Sequence, residues 1–275
     1  MKDLWSTLGD AVSPNVRRLA LRALTGQGIG PLPITVAANL LVAGAAKRRA
    51  PTTRLPSRSE ARRLEPRPPP TPFERQVAQY PAGPMTYDLR QSQVMPGDRL
   101  DLSYAHPGDT VVTDGATIAF NNDGWPQVSL HKGYEDGRSA AKGGPVLMPD
   151  GPVAVDVDEN ARLAGKKGPF WFAGQVPNKR PWDYKQRGPR GQYEAFGNFH
   201  YGATGRGVGF PPSILLQRAG AAQGRDTNVD ATFGDPGVPF LPFTGSGSYG
   251  DDPVDQYWIE QGMRYFDQSK APASR

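Results

Sequence analysis

Three short stretches in the last hundred residues hold the side chains that could do chemistry. They are Trp182-Asp183-Tyr184-Lys185-Gln186, Phe196-Gly197-Asn198-Phe199-His200-Tyr201-Gly202-Ala203-Thr204-Gly205 and Tyr249-Gly250-Asp251-Asp252-Pro253-Val254-Asp255-Gln256. His200 is one of three histidines in the chain, and an imidazole is the usual group for moving a proton near neutral pH. Asp183 and Lys185 lie two apart, so an extended backbone puts them on one face. There Asp183 would orient His200, and Lys185 would stabilise a developing negative charge. Glu194, ranked below Asp183, could instead complete an acid–base pair with His200. Asp252 and Asp255 add carboxylates at the start of the last helix. Trp182, Tyr184, Gln186, Asn198, Tyr201, Arg206 and Gln256 are interleaved with these groups and are the candidate substrate-binding residues.

Each of these groups also has a structural reading. A lone histidine often only packs, and Asp183 with Lys185 can form an exposed ion pair on a turn. Asp252 at N-cap followed by Pro253 opens a helix, and Asp251, Asp252 and Asp255 all favour its dipole. Gln256 has no such capping role. Gly202, Gly205, Gly207 and Gly209 predict tight turns, with Gly205–Gly209 able to cradle an anion before the next helix. That run lacks the dinucleotide spacing and the P-loop lysine. No histidine partners the carboxylates at metal-ligand spacing, so neither a metal nor a cofactor is expected. His106 and His131, each without a metal-spaced neighbour, read as structural or exposed.

The composition says what must carry these motifs. Of 275 residues, 33 are Gly and 29 Pro, more than a fifth together, which predicts many turns and loops. A hydrophobic fraction of 37% predicts that part of the chain is extended. With no cysteine, disulfides, thiolate metal sites and a cysteine nucleophile are excluded. The net charge of +5 is uneven. Residues 1–90 hold fourteen basic and six acidic side chains, residues 91–165 five and eleven, and residues 166–275 thirteen and ten. A basic arm can touch an anionic partner or simply be solvated.

The expected fold class is α+β: a basic, partly extended N-terminal arm, a small β-rich middle module, and a mainly α C-terminal domain with long loops. Residues 1–46 read as an amphipathic helix over 4–24 followed by an apolar run at 31–46. That run is about sixteen residues, short of the roughly twenty a helix needs to span a bilayer, so no stable transmembrane anchor is expected. Residues 47–84 are a Pro/Arg-rich linker. Residues 85–157 contain strand-like runs at 87–89, 101–104, 110–113, 117–120, 127–130 and 153–157, several of them separated by Gly-containing turns. Beyond them, helices are predicted at 158–166 with Asp158 at its start, at 211–223 with proline in the first turn, and from Asp252-Pro253 onward. A long Gly/Pro/Phe-rich loop at 224–250 precedes the last.

The order of Trp171-Phe172, Pro181 to Gln186, Tyr193-Glu194, Phe196 to Gly205, Gly209-Phe210, Ala219 to Gln223 and Tyr249 to Gln256 resembles the bacterial polymorphic toxin type 44 domain, over roughly residues 158–268. The resemblance implies a C-terminal toxin-like domain, 158–275, at the tip of a secreted or injected effector. It implies an activity against competing cells, a cognate immunity protein, and secretion or injection machinery, which can be a phage-tail-like particle. The first reading of the reaction is a metal-independent, RNase-like nuclease using His200 and an acidic partner, with Lys185 or Arg206 on the phosphate. Its substrate would then be nucleic acid in the target cytoplasm. Two alternatives stand beside it: a hydrolase of peptidoglycan in the periplasm, working through Glu194, Asp183 or Asp252, and a non-enzymatic component of a secretion or phage-tail-like particle.

Overall fold

The computed structural model describes residues 57–59, 84–90, 98–189, 191–224, 230–238 and 244–270. The helix expected at 4–24, the apolar run at 31–46 and nearly all of the 47–84 linker lie outside these residues. The described chain is a mixed α/β structure with six helices and small sheets. Its strands are β1 (Thr86–Asp88), β2 (Arg99–Asp101), β3 (Thr110–Val112), β4 (Ala116–Phe120), β5 (Pro126–Leu130), β6 (Val146–Met148), β7 (Gly234–Asp235) and β8 (Ser246–Gly247). Its helices are α1 (Gly137–Lys142), α2 (Val157–Lys167), α3 (Pro169–Gln175), α4 (Glu194–Val208), α5 (Pro212–Gln223) and α6 (Pro253–Lys270).

A four-stranded sheet has the order β1-β3-β4-β5, with β1 parallel to β3 and the other pairs antiparallel. The alternation of β4, with Ala116, Ile118 and Phe120 buried and Thr117 and Ala119 turned outward, sets its register against β5. β2 pairs with β6 in parallel, and β7 with β8 antiparallel inside the long loop.

Two expected strands are otherwise. Over 101–104, the Asp101 side chain accepts from Ser103 N and turns the chain into a 3-10 helix, Leu102–Tyr104, just after β2. Over 153–157 the chain turns and then enters α2. The cap of α2 is Asp156, which accepts from Glu159 N at 2.9 Å, rather than Asp158, which sits inside the first turn. Helix α5 begins with its proline in the first turn, as the sequence predicts.

The largest departure concerns the glycines at 202, 205 and 207. They are not a turn or an anion cradle: they lie inside α4. A Cβ on Gly202 would overlap Ile259 O of α6, and one on Gly262 would overlap Phe199 O of α4. The glycines are there because two helix backbones touch, which offsets their intrinsic cost in a helix. Asn198 meets Asp255, Gly202 meets Ile259, and Arg206 meets Asp267. The contacts advance together, so α4 and α6 run parallel.

Helix α6 also belongs to the core of the β region. Its Tyr257 and Trp258 are buried in one apolar cluster with Ile118 and Phe120 of β4, Ala140 and Ala141 of α1, and Leu147 of β6. The Arg264 guanidinium reaches back to Ala141 O and Gly144 O, satisfying carbonyls at the end of α1. Residues 57–59 dock on the same body: Arg58 N donates to Gly151 O at 2.7 Å, and the Arg58 guanidinium lies 5.7 Å from the Phe196 ring centroid.

Candidate functional site

Because α4 and α6 are parallel, their N-termini lie at the same end of the molecule. Free backbone N–H groups and the positive ends of two helix dipoles therefore converge there, and anionic side chains are stabilised. The sequence supplies them. Asp252 Oδ1 accepts from Val254 N at 2.8 Å and its backbone oxygen accepts from Gln256 N, so Asp252 is the N-cap of α6. Asp255 lies in the first turn of α6, and Glu194 in the first turn of α4.

Asp255 is the hub. Its Oδ2 accepts from Lys185 Nζ at 2.7 Å and its Oδ1 from Asn198 Nδ2 at 2.6 Å. The Asp255 side chain is 13% exposed and that of Lys185 33%, so the pair is sheltered yet reaches solvent. Gly197 makes this possible: a Cβ there would come within 2.9 Å of Lys185 Cγ, across whose stem the helix passes. Burial pulls the Lys185 ammonium down, but the Asp255 carboxylate outweighs it and the net shift is upward; Asp251 and Glu194 add to this. Lys185 is thus a permanent cation at the mouth of the site.

Behind this pair sits Asp251. It is buried, and its Oδ2 accepts from the fully buried Gln256 Nε2 at 2.8 Å; that amide also donates to Leu216 O at 3.2 Å. Burial, then the neighbouring Asp255, pushes the Asp251 carboxyl up to about 7. Burial also raises Asp252, which remains half-exposed. The cluster therefore holds an ion-paired carboxylate beside a carboxyl that retains its proton near neutrality. The sign of the linkage is clear: a carboxyl raised in the folded state contributes stability below its unfolded pKa, and that contribution is lost as pH rises through about 7. Asp251→Asn is expected to flatten this decline between pH 4 and 7, as measured by urea unfolding across that range.

His200 lies elsewhere, in the protein interior. Its ring packs 4.9 Å from Trp182, 4.8 Å from Tyr184 and 5.9 Å from Phe196, centroid to centroid. Its Nε2 accepts from Asn160 Nδ2 of α2 at 3.0 Å, which makes the ring neutral with its proton on Nδ1. Burial, with Arg187 nearby, lowers its pKa to about 3. The unfolded ring binds a proton near 6.5, so the stability this histidine contributes is present above that pH and is lost as pH falls toward 3. Wild-type protein is expected to lose about 1.4 kcal/mol per pH unit from this one group over that window, and His200→Gln to lack that slope. Thermal melts at pH 7 and pH 5 check it.

The other expected site residues divide between these two places. Asp183 is buried and serves the turn, accepting the backbone N–H groups of Lys179 and Gln186, with its pKa raised by burial. Trp182, Tyr184 and Tyr201 pack in the aromatic interior. Tyr184, pushed up to about 12 by burial, bonds Asn160, and Tyr201 OH donates to Leu215 O at 3.1 Å. Gln186 is exposed on the turn. Arg206 lies eight residues along α4 from Asn198, roughly 12 Å by helical rise, paired with Asp267 and donating to Phe210 O. Lys185, Asn198, Asp252, Asp255, Gln256 and Glu194 are the ones brought to the helix N-termini.

Two residues were not among the sequence candidates. Asp251 reads as one more helix-favouring carboxylate, but only its burial against Gln256 separates it from a cap. Asn160 lies in an ordinary amphipathic helix, and nothing local marks it as the partner of His200 and Tyr184. His131, by contrast, is structural: its ring joins Thr117 Oγ1 at 2.8 Å and Asp114 O at 3.0 Å. Among the described residues no group of three or more His, Asp or Glu side chains is placed to hold a metal ion, and no helix is long and apolar enough to cross a membrane.

Parallel glycine-seamed helices, closed at one end by a Lys–Asp–Asn centre, are the frame into which the three polar motifs fold. Residues 171–268, which contain all three, match the model of the bacterial toxin 44 family, so the C-terminal region carries a bacterial toxin domain. No curated protein and no solved structure matches the chain.

Proposed function

We propose that the toxin domain is a cell-wall hydrolase whose reacting groups are Asp255 and Lys185, with Asp251 holding the proton. The observation that carries this reading is the unequal state of neighbouring carboxyls: Asp255 paired with Lys185, Asp251 raised to about 7. Carboxyls whose environments separate their protonation states are the arrangement that acid–base cleavage of a glycosidic or amide bond requires. Asp255 would activate the attacking water or attack directly. Lys185, permanently charged, would stabilise the oxygen that gains negative charge.

Local charge favours a sugar polymer over nucleic acid. Even with Asp251 protonated, Asp252, Asp255 and Glu194 surround one lysine, a field that repels a phosphate backbone rather than neutralising it. His200, the acid–base group of the nuclease reading, is enclosed by aromatic rings and neutral, and Arg206 stands eight residues, roughly 12 Å of helical rise, from the Asn198 that shares Asp255 with Lys185. Delivery as a secreted or injected effector and a cognate immunity protein belong to the same proposal, the immunity protein being expected to cover the helix N-termini.

Expression of the full chain in bacteria, with and without a periplasmic export sequence, tests the reading. Lysis confined to the exported form, together with clearing of purified sacculi, is the expected result. Growth arrest confined to the cytoplasmic form, with degraded RNA, would transfer the site to the nuclease reading. The absence of any effect in either compartment would favour a non-enzymatic part in a delivery particle. The full chain is needed because Tyr257 and Trp258 of α6 share a core with β4 and β6.

A further inference from the structure

A pocket of about 230 Å³ opens on the β side of the molecule, between Trp125 and the segment that leads into α4. Its lining includes Ser57, Ser59, Asp123, Trp125, Asp150 and Gln192. The volume is below the usual range for drug-sized ligands and fits a single ring-sized group. Its walls are unlike the mostly apolar walls of such sites: five polar residues line it together with one tryptophan.

Ser57, Ser59 and Asp150 are bonded to one another, Ser57 Oγ lying 2.9 Å from Ser59 Oγ, whereas Asp123 and Gln192 keep acceptors unspent. Asp123 is exposed, and its only bond among the described residues is made by its backbone N–H, to Asn121 Oδ1. Gln192 Oε1 is buried without a hydrogen-bond partner. The terminal torsion of a glutamine is soft, so that oxygen can turn to meet a donor in the pocket. Asp150 is held in place by Ser59, whose Oγ donates to Oδ2 at 2.6 Å and whose backbone N–H reaches Oδ1 at 3.3 Å. Two carboxylates, of which Asp150 is shared with Ser59 and lies 4.0 Å from Arg58 Nε, and an amide oxygen make a surface of acceptors. It suits a ligand rich in O–H and N–H donors and rejects an anion. The indole of Trp125 supplies the flat apolar face on which the C–H side of a pyranose ring can lie.

We propose that this pocket is a glycan subsite that holds one uncharged N-acetylated sugar ring, with its hydroxyls on Asp123 and Asp150 and its apolar face on Trp125. The choice of a cell-wall glycan as the source of that ring rests on the hydrolase reading above. The chain connecting the two sites is short: Lys185 stands at one end of the 185–194 segment, and Pro189, Gln192 and then Glu194 follow.

The test is calorimetric titration of a soluble tetramer of β-1,4-linked N-acetylglucosamine into full-length protein carrying Asp255→Asn, so that binding is read without turnover. The tetramer is expected to bind. Trp125→Ala in the same background is expected to weaken it at least about tenfold, and Trp125→Phe to retain part of the affinity. Asp123→Ala, which changes only an exposed side chain, is expected to weaken it severalfold with an unchanged melting temperature. No binding, or unchanged affinity in both Trp125→Ala and Asp123→Ala, overturns the subsite. If sacculi are cleared yet the tetramer fails to bind, the subsite falls and the hydrolase stands. If the tetramer binds through Trp125 and Asp123 yet sacculi are untouched, the subsite stands and the hydrolase reading falls.

Discussion

Asp255→Asn is expected to lower toxicity and sacculus hydrolysis by about 10²- to 10⁴-fold, the range that general acid–base groups contribute. The substitution keeps the shape of the side chain, and its oxygen can still accept from Asn198 Nδ2. What it removes is the charge that holds Lys185 and, in the proposed reaction, takes the proton. The cost in stability is expected to be about 1 kcal/mol, because Lys185 is one-third exposed and can turn to solvent. Activity and stability therefore part company, and a thermal melt beside a turbidity assay measures both. Full activity in a folded Asp255→Asn protein would remove Asp255 from the reacting groups. Lys185→Met should follow Asp255→Asn in direction, since it takes away the other half of the pair.

Gly202→Ala and Gly262→Ala are expected to act through the fold alone, each costing about 3 kcal/mol or more. An ordinary Gly to Ala change in a helix interior stabilises it by roughly 1 kcal/mol, since alanine is the better helix former. Here the sign reverses. The added Cβ of Gly202 would overlap Ile259 O, and that of Gly262 would overlap Phe199 O. Backbone cannot swing aside as a side chain can, so the helices must separate. Separation moves Asn198 away from Asp255 and loosens the apolar layer that Ile259 and Met263 share with Leu215. Urea unfolding reads the loss. A stability gain in both variants would mean that α4 and α6 are not in backbone contact.

The middle strands were largely legible because turn residues and a period of two set them apart: β3 falls within its predicted run, and β4 and β5 begin one residue before theirs. The last helix was legible from Asp252-Pro253, an N-cap followed by proline, which works through local backbone geometry alone. Helix α4 was not. Its glycines at 202, 205 and 207 carry the sequence mark of a loop, and only what packs against them gives them another use: the α6 backbone at Gly202, the Leu215 side chain at Gly205 and the α2 backbone at Gly207. The same blindness affected His200. It read as a proton-transfer group beside Asp183, whereas helical geometry turns it into a box of Trp182, Tyr184 and Phe196.

By itself the sequence determined the inventory: no thiol, an uneven charge, and three polar motifs in an order that resembles one toxin family, which the family match over residues 171–268 supports. Local rules also settled the cap at Asp252, since a cap depends on residues two or three positions away. The tertiary structure decided which motif residues meet. Lys185 and Asp255 are seventy positions apart, and Asn198 and Asp255 fifty-seven. They come together because glycine seams let α4 and α6 pack in parallel, with both N-termini at one end. Burial then divided chemically identical aspartates into a cap, an ion-paired carboxylate and a proton-holding acid. Solvent exclusion and long-range pairing depend on the whole packed chain, so no local pattern could assign those three roles.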